Sequence, residues 1–296
     1  MAALFAAASL TAAGTGRAAE KGPLVLEPSS PWAISFSKDA CHLARTFGEG
    51  DDRLAVDFRQ YGPGRIITVL ALAKSLRYST GGTPLVAEFG PNGTRHEDRF
   101  PRMIKQDDGQ GLVETWAMLV PKPGDDEVAK RRSWRPDSDD LGPAPYDRQA
   151  ESRVTELRLS GPIQREVVLQ LGRMDLPMDQ MRICLDDLMQ RWGIDPESYH
   201  SLTRRAVPSS NPGTWALTSD YPERMLQSGM RDTVHFRLMV DKTGKPTACS
   251  VQTAGGSDFD KLTCQLMMRR ARFMPALDAA GQPVASFYVN AVHWAL

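Results

Sequence analysis

At 296 residues the chain is long enough for two domains. Lysine plus arginine equals aspartate plus glutamate at 36 each, so no basic excess points to nucleic acid and no acidic tail is present. The 41% hydrophobic content suits a globular protein with a core.

Residues 1–19 open the chain with an alanine-rich apolar run, Met1 to Ala13, followed by Gly16-Arg17-Ala18-Ala19. Small residues at these offsets predict a signal peptide cut near Ala18 or Ala19, and export to the periplasm. The run stops at Arg17, short of the about 20 residues that a spanning helix needs. No Lys or Arg precedes it, and a start further upstream would leave an inner-membrane anchor open. Cys41, Cys184, Cys249 and Cys264 form no C-x-x-C pair, which argues against zinc and thioredoxin-like chemistry. An even cysteine count in an exported chain predicts two disulfides, the alternative being four buried thiols.

Residues 20–193 read as a β-rich periplasmic domain. Glu20 to Ser30 is an exposed lead. Trp32–Phe36 and Cys41–Phe47 are short strand candidates. Leu54, Val56 and Phe58 alternate with Arg53, Asp57 and Arg59, and Ile66–Ala73 is a continuous apolar run suited to a central strand. Gly62-Pro63-Gly64 turns between them. Gly81-Gly82 precedes Leu85, Ala87 and Phe89, and Pro91-Asn92-Gly93 predicts a hairpin with Arg95 to Ile104 returning. Leu112, Trp116, Met118 and Val120 make another strand.

About 121–151 the chain is charged, Pro-rich and aperiodic, which predicts a disordered insertion or long surface loop. Arg131, Arg132, Trp134 and Arg135 there are either solvated or face an anionic partner. Strands resume at Val154 to Leu159 and Val167 to Leu171. The period then changes: Met178, Met181, Leu185, Leu188, Met189 and Trp192 make one helical stripe, with Pro177 in the first turn and Gly193 as the stop. Cys184 flanks this stripe, so Cys41 is its natural partner. Residues 194–219 read as a linker in which Trp215 packs on the C-terminal domain.

From Tyr221-Pro222 the pattern sharpens over 220–296. A short amphipathic segment ends at Gly229. Val234, Phe236, Leu238 and Val240 then alternate with Thr233, His235, Arg237 and Met239, which is a half-buried strand. Asp241 to Pro246 is a hairpin turn with Gly244 at positive φ, and Thr247–Thr253 is the return. Ser257 suits a helix N-cap before Asp258 and Asp260, while Arg269, Arg270 and Arg272 suit its C-terminal end. Cys249 lies on the inward face of the returning strand and Cys264 on the rim of the helix packed over it, which predicts a Cys249–Cys264 bridge. The last strand runs from Val284 to Trp294.

The order helix, strand, strand, helix, strand resembles the C-terminal domain of TonB energy transducers over about 215–296. The landmarks are Tyr221-Pro222, Val240-Asp241 before Gly244, the helix start from Ser257 to Leu262, and Arg272-Phe273-x-Pro275-Ala276 with Gly281-Gln282-Pro283-Val284. Asp232 departs from the family, which has a glycine there. The expected fold class is α+β: a mainly antiparallel N-terminal β domain closed by one helix, plus the small TonB-like domain.

No catalytic constellation accompanies it: G-x-S-x-G, Walker and H-E-x-x-H motifs are absent from the sequence. His235 and His293 share a domain but read as a surface pair, because no third metal ligand is apparent. Neither enzyme activity nor cofactor nor metal is expected. The resemblance implies an interaction protein that takes a peptide from a TonB-dependent outer-membrane transporter, or another envelope protein, onto a sheet edge. It places the last strand beside the first, leaving Tyr288, Val289, Asn290, Ala291 and Val292 on an edge without Pro or charge to guard it. Such an edge is a binding site, a homodimer seam, or a surface capped by the chain around Trp215. The alternative function is a β domain that binds a small molecule or envelope polymer and docks through the TonB-like module, without energy transduction.

Overall fold

The computed structural model describes residues 22–295 apart from 75, 77–82, 92, 100, 108, 121–146 and 253–257. The expected signal segment, the Gly81-Gly82 break, Asn92, the Arg131–Arg135 cluster and the Ser257 cap lie outside the described residues.

The N-terminal half contributes β1 (Leu24–Leu26), β2 (Ala33–Phe36), β3 (Cys41–Phe47), β4 (Leu54–Gln60), β5 (Ile66–Ala73), β6 (Leu85–Gly90), β7 (Arg95–Asp98), β8 (Arg102–Lys105), β9 (Gly111–Met118), α1 (Arg148–Arg153), β10 (Glu156–Ser160), β11 (Val167–Gln170) and α2 (Asp175–Arg191). The strands form a six-stranded sheet, β2-β3-β4-β5-β9-β8, and a five-stranded sheet, β1-β11-β10-β6-β7. Every pair is antiparallel except β1 with β11. Alternation decides the faces. Leu43, Phe47, Val56, Phe58, Ile67, Val69, Val113 and Ala117 point inward to one core with Phe89, Leu157, Leu159 and Leu169 of the second sheet. The stripe of α2 closes this core with Met178, Met181, Leu185 and Leu188. Gly193 follows with φ +79°, the left-handed stop expected there. Cys41 and Cys184 are bonded, pinning α2 to β3 across 143 residues of sequence.

Four stretches differ from expectation. The lead over 20–30 contains β1, whose Leu24 and Leu26 are buried. The return read as Arg95 to Ile104 is two strands in different sheets, because Pro101 offers no N–H to continue a ladder. The aperiodic stretch ends by Asp147, whose side chain caps α1 by accepting from the Ala150 amide. In α1, buried Glu151 accepts two hydrogen bonds from Arg182 of α2, at 2.9 and 3.1 Å. Finally, 194–219 is structured. It holds α3 (Pro196–His200), capped by Asp195, and β12 (Val207–Pro208).

The C-terminal part continues with α4 (Glu223–Gln227), β13 (Asp232–Val240), β14 (Pro246–Val251), α5 (Asp258–Arg270), β15 (Phe273–Met274), β16 (Ala276–Leu277), β17 (Pro283–Val284) and β18 (Ser286–Trp294). The sheet order is β14-β13-β18, all antiparallel. Val234, Phe236, Leu238 and Val240 pack with Phe259, Leu266 and Met267 of α5. Trp294 Nε1 donates to Thr263 Oγ1 at 3.0 Å, fastening the end of β18 to the helix. Cys249 and Cys264 are bonded. Gly244 takes φ +82°, and a Cβ there would stand 1.9 Å from the Phe273 carbonyl oxygen. The last strand is shorter than expected, because Pro283–Val284 turns aside to pair with Ala276–Leu277. No described helix is long and apolar enough to cross a membrane.

The former linker does not run beside β18. Instead β12 pairs with β15, and Arg204 bridges to Leu277. Trp215, 2% exposed, sits against Phe273 and Tyr288 on the α5 side of the sheet.

Candidate functional site

β18 ends its sheet, so half of its backbone groups face away from β13. Which half is settled by one hydrogen bond. The Gln252 amide donates to the His235 carbonyl at 2.8 Å, next to the pair Phe236–Val251. In an antiparallel ladder bonded and non-bonded pairs alternate. His235 and Arg237 therefore turn their backbone groups to β14, and Val234, Phe236 and Leu238 turn theirs to β18. Their partners Val292, Asn290 and Tyr288 are used up within the sheet. The open edge is left to Phe287, Val289, Ala291 and His293.

The five expected residues thus divide. Tyr288 and Val292 pack into the core under α5, where burial pushes the Tyr288 phenol up to about 12. Val289 and Ala291 offer outward amides and carbonyls. Asn290 is exposed and folds over the edge: its Oδ1 accepts from the Ala291 amide at 2.8 Å, and its Nδ2 donates to Tyr288 Oη at 2.6 Å.

Side chains of the outward set face the N-terminal half. Phe287 stacks on Tyr199 with ring centroids 5.1 Å apart and meets Trp192 edge-on at 5.1 Å. A Cβ on Gly62 would lie 3.0 Å from Val289 Cγ2, so the Gly62-Pro63-Gly64 turn approaches β18 closely. Arg237 lies over the Trp192 ring at 4.1 Å. Gln252 Nε2 donates to the Tyr61 carbonyl at 2.7 Å and the Asp39 carbonyl at 3.0 Å.

His235 stacks on Tyr61 at 4.1 Å and is half-buried at the junction of the two halves. Burial, with the His293 and Arg59 charges nearby, pushes its imidazole down to about 4. It remains neutral at neutral pH. His293 shares its face but bonds Thr233 Oγ1 at 3.1 Å. Among the described residues no three His, Cys, Asp or Glu side chains cluster as a metal would need.

Outward from the Tyr61–His235 stack lies a cavity of about 480 Å³. One wall is β18 with Val289, Ala291 and His293; the other is the outer face of the six-stranded sheet, with Ile66, Glu114 and Trp116. Sequence reading missed this second wall. Its only signals were the Gly62-Pro63-Gly64 turn and apolar Trp116 and Met118 on the outward face of a strand.

Residues 218–296 match the family model of the Gram-negative bacterial TonB protein C-terminal. The match covers this segment alone and leaves out the wall formed by β5 and β9. No curated protein and no solved structure matches the chain.

Proposed function

We propose that this protein is a periplasmic interaction module of the TonB type, taking an extended segment of an outer-membrane transporter or other envelope partner onto the edge of β18. The observation that supports it is the row of outward backbone groups at Phe287, Val289, Ala291 and His293, beside which no described strand lies. Main-chain pairing supplies affinity without special side chains. The match of residues 218–296 to the TonB C-terminal model supports this partner class. A homodimer through the same edge is the competing use of these groups.

Proline tests it. At Val289 or Ala291 it removes an outward N–H, the Ala291 one shared with Asn290 Oδ1 until a partner displaces it, and spares the ladder to β13; edge strands tolerate it. At Asn290 it removes a donor to Phe236 and should unfold the domain. Binding of full-length protein to synthetic peptides from the periplasm-facing segments of outer-membrane transporters should weaken in Val289→Pro and Ala291→Pro, each still folded by circular dichroism. Unchanged binding in both would sink the reading. Sedimentation reads the dimer: a dimeric wild type made monomeric by Val289→Pro assigns the edge to self-pairing.

The cavity supports a second reading, a small molecule or envelope polymer held between the sheets. Its signature is a ligand whose affinity ignores both proline variants.

A further inference from the structure

Resting on the strand-addition reading, we infer that the N-terminal domain selects the partner by its side chains: the segment it accepts carries large apolar or aromatic residues at alternate positions. A strand paired to β18 extends the C-terminal sheet across the cavity. Successive side chains of a strand point to opposite faces, so every second one points at the outer face of the six-stranded sheet.

That wall is apolar where the added strand would meet it. Ile66 is 57% exposed although it begins a central strand. Met118 is its cross-strand partner, and Trp116 follows on the same face opposite Thr68. The charged groups around them are engaged. Arg102 pairs with Glu114 at 3.4 Å, Thr115 Oγ1 donates to Asp98 at 2.8 Å, and Arg65 donates to the Val120 carbonyl at 3.3 Å. An apolar side chain that settles on Ile66, Met118 and Trp116 leaves these bonds in place. The volume, about 480 Å³, falls within that of ligand pockets. The patch also continues an existing apolar seam, since Trp192, Tyr199, Phe287 and Val289 already join the two halves.

The test is selection from a displayed random-peptide library on the full-length protein. Selected peptides should share large apolar residues at alternate positions. Ile66→Asp, at an exposed position, should weaken them about 10- to 100-fold, the worth of one buried aromatic or aliphatic side chain. Replacing those peptide residues with alanine should cause the same loss and abolish the difference between wild type and Ile66→Asp. Val289→Pro should weaken both peptide forms. Peptides that need an intact Val289 but show no alternate pattern and ignore Ile66→Asp overturn the inference and leave strand addition standing. Peptides sensitive to Ile66→Asp that bind Val289→Pro like wild type overturn strand addition, and this placement with it. A library that yields no binder overturns both.

Discussion

His235 makes the junction between the two sheets sensitive to acid. Its imidazole is held at about 4 by burial and by the neighbouring His293 and Arg59, against 6.5 for a free histidine. As pH falls, the unfolded chain takes up this proton before the folded one. The contribution is fully present above about pH 6.5 and is lost as pH falls towards 4, a difference of about 3 kcal/mol in all. Of this, about 2 kcal/mol should be gone by about pH 5. Urea unfolding at about pH 7.5 and 5 should show that loss in wild type and a smaller one in His235→Phe; equal losses would refute the assignment. Asn290 acts oppositely at the edge, occupying one of the outward amides, that of Ala291, which a partner would otherwise find free. Asn290→Ala should tighten peptide binding about 2- to 10-fold, the net worth of one hydrogen bond. Titration calorimetry that finds weaker binding would make Asn290 a contact rather than a guard.

Among elements, the hairpin β13–β14 is tightly constrained. Gly244 combines positive φ with contact against the Phe273 carbonyl, and the Phe273 amide donates back to the Gly244 carbonyl at 2.9 Å. Gly244→Ala should therefore cost more than about 2 kcal/mol, strain and clash together, measurable as a lowered denaturation midpoint. Removing the bridge that closes 15 residues between β14 and α5, as Cys249→Ala with Cys264→Ala, should cost about 3 kcal/mol in the chain-entropy model. These elements were legible because each carries a strong local signal. β13 alternates over nine residues and α2 repeats its stripe through Trp192. β1 was not legible: three residues are too few to show a period. Nor was α1, since its six residues show no apolar stripe and only Arg182, thirty-one positions on, makes a buried residue of Glu151.

For the molecule as a whole, the boundary of the family match is not the boundary of the fold. Trp215 and β12 precede residue 218 yet complete the C-terminal core and pair with β15. Trp215→Ala should cost about 3–5 kcal/mol, and a fragment starting at 218 should be less stable than one starting at 203; equal melting would contradict this. The candidate site was half legible for the same reason. The edge followed from the family resemblance, which set the last strand beside the first, and the lack of Pro and charge in β18 marked it as unguarded. The cavity joins Tyr61 and Trp116 to His235 and His293, and no local pattern announces a contact between such distant segments. The Cys41–Cys184 bond has one further consequence. A protease that cuts anywhere between 121 and 146 cleaves inside the covalent ring this bond closes. The nicked protein should run as one band without reductant and as two with it, and under oxidising conditions it should keep α2, and the seam α2 makes with Phe287, in place.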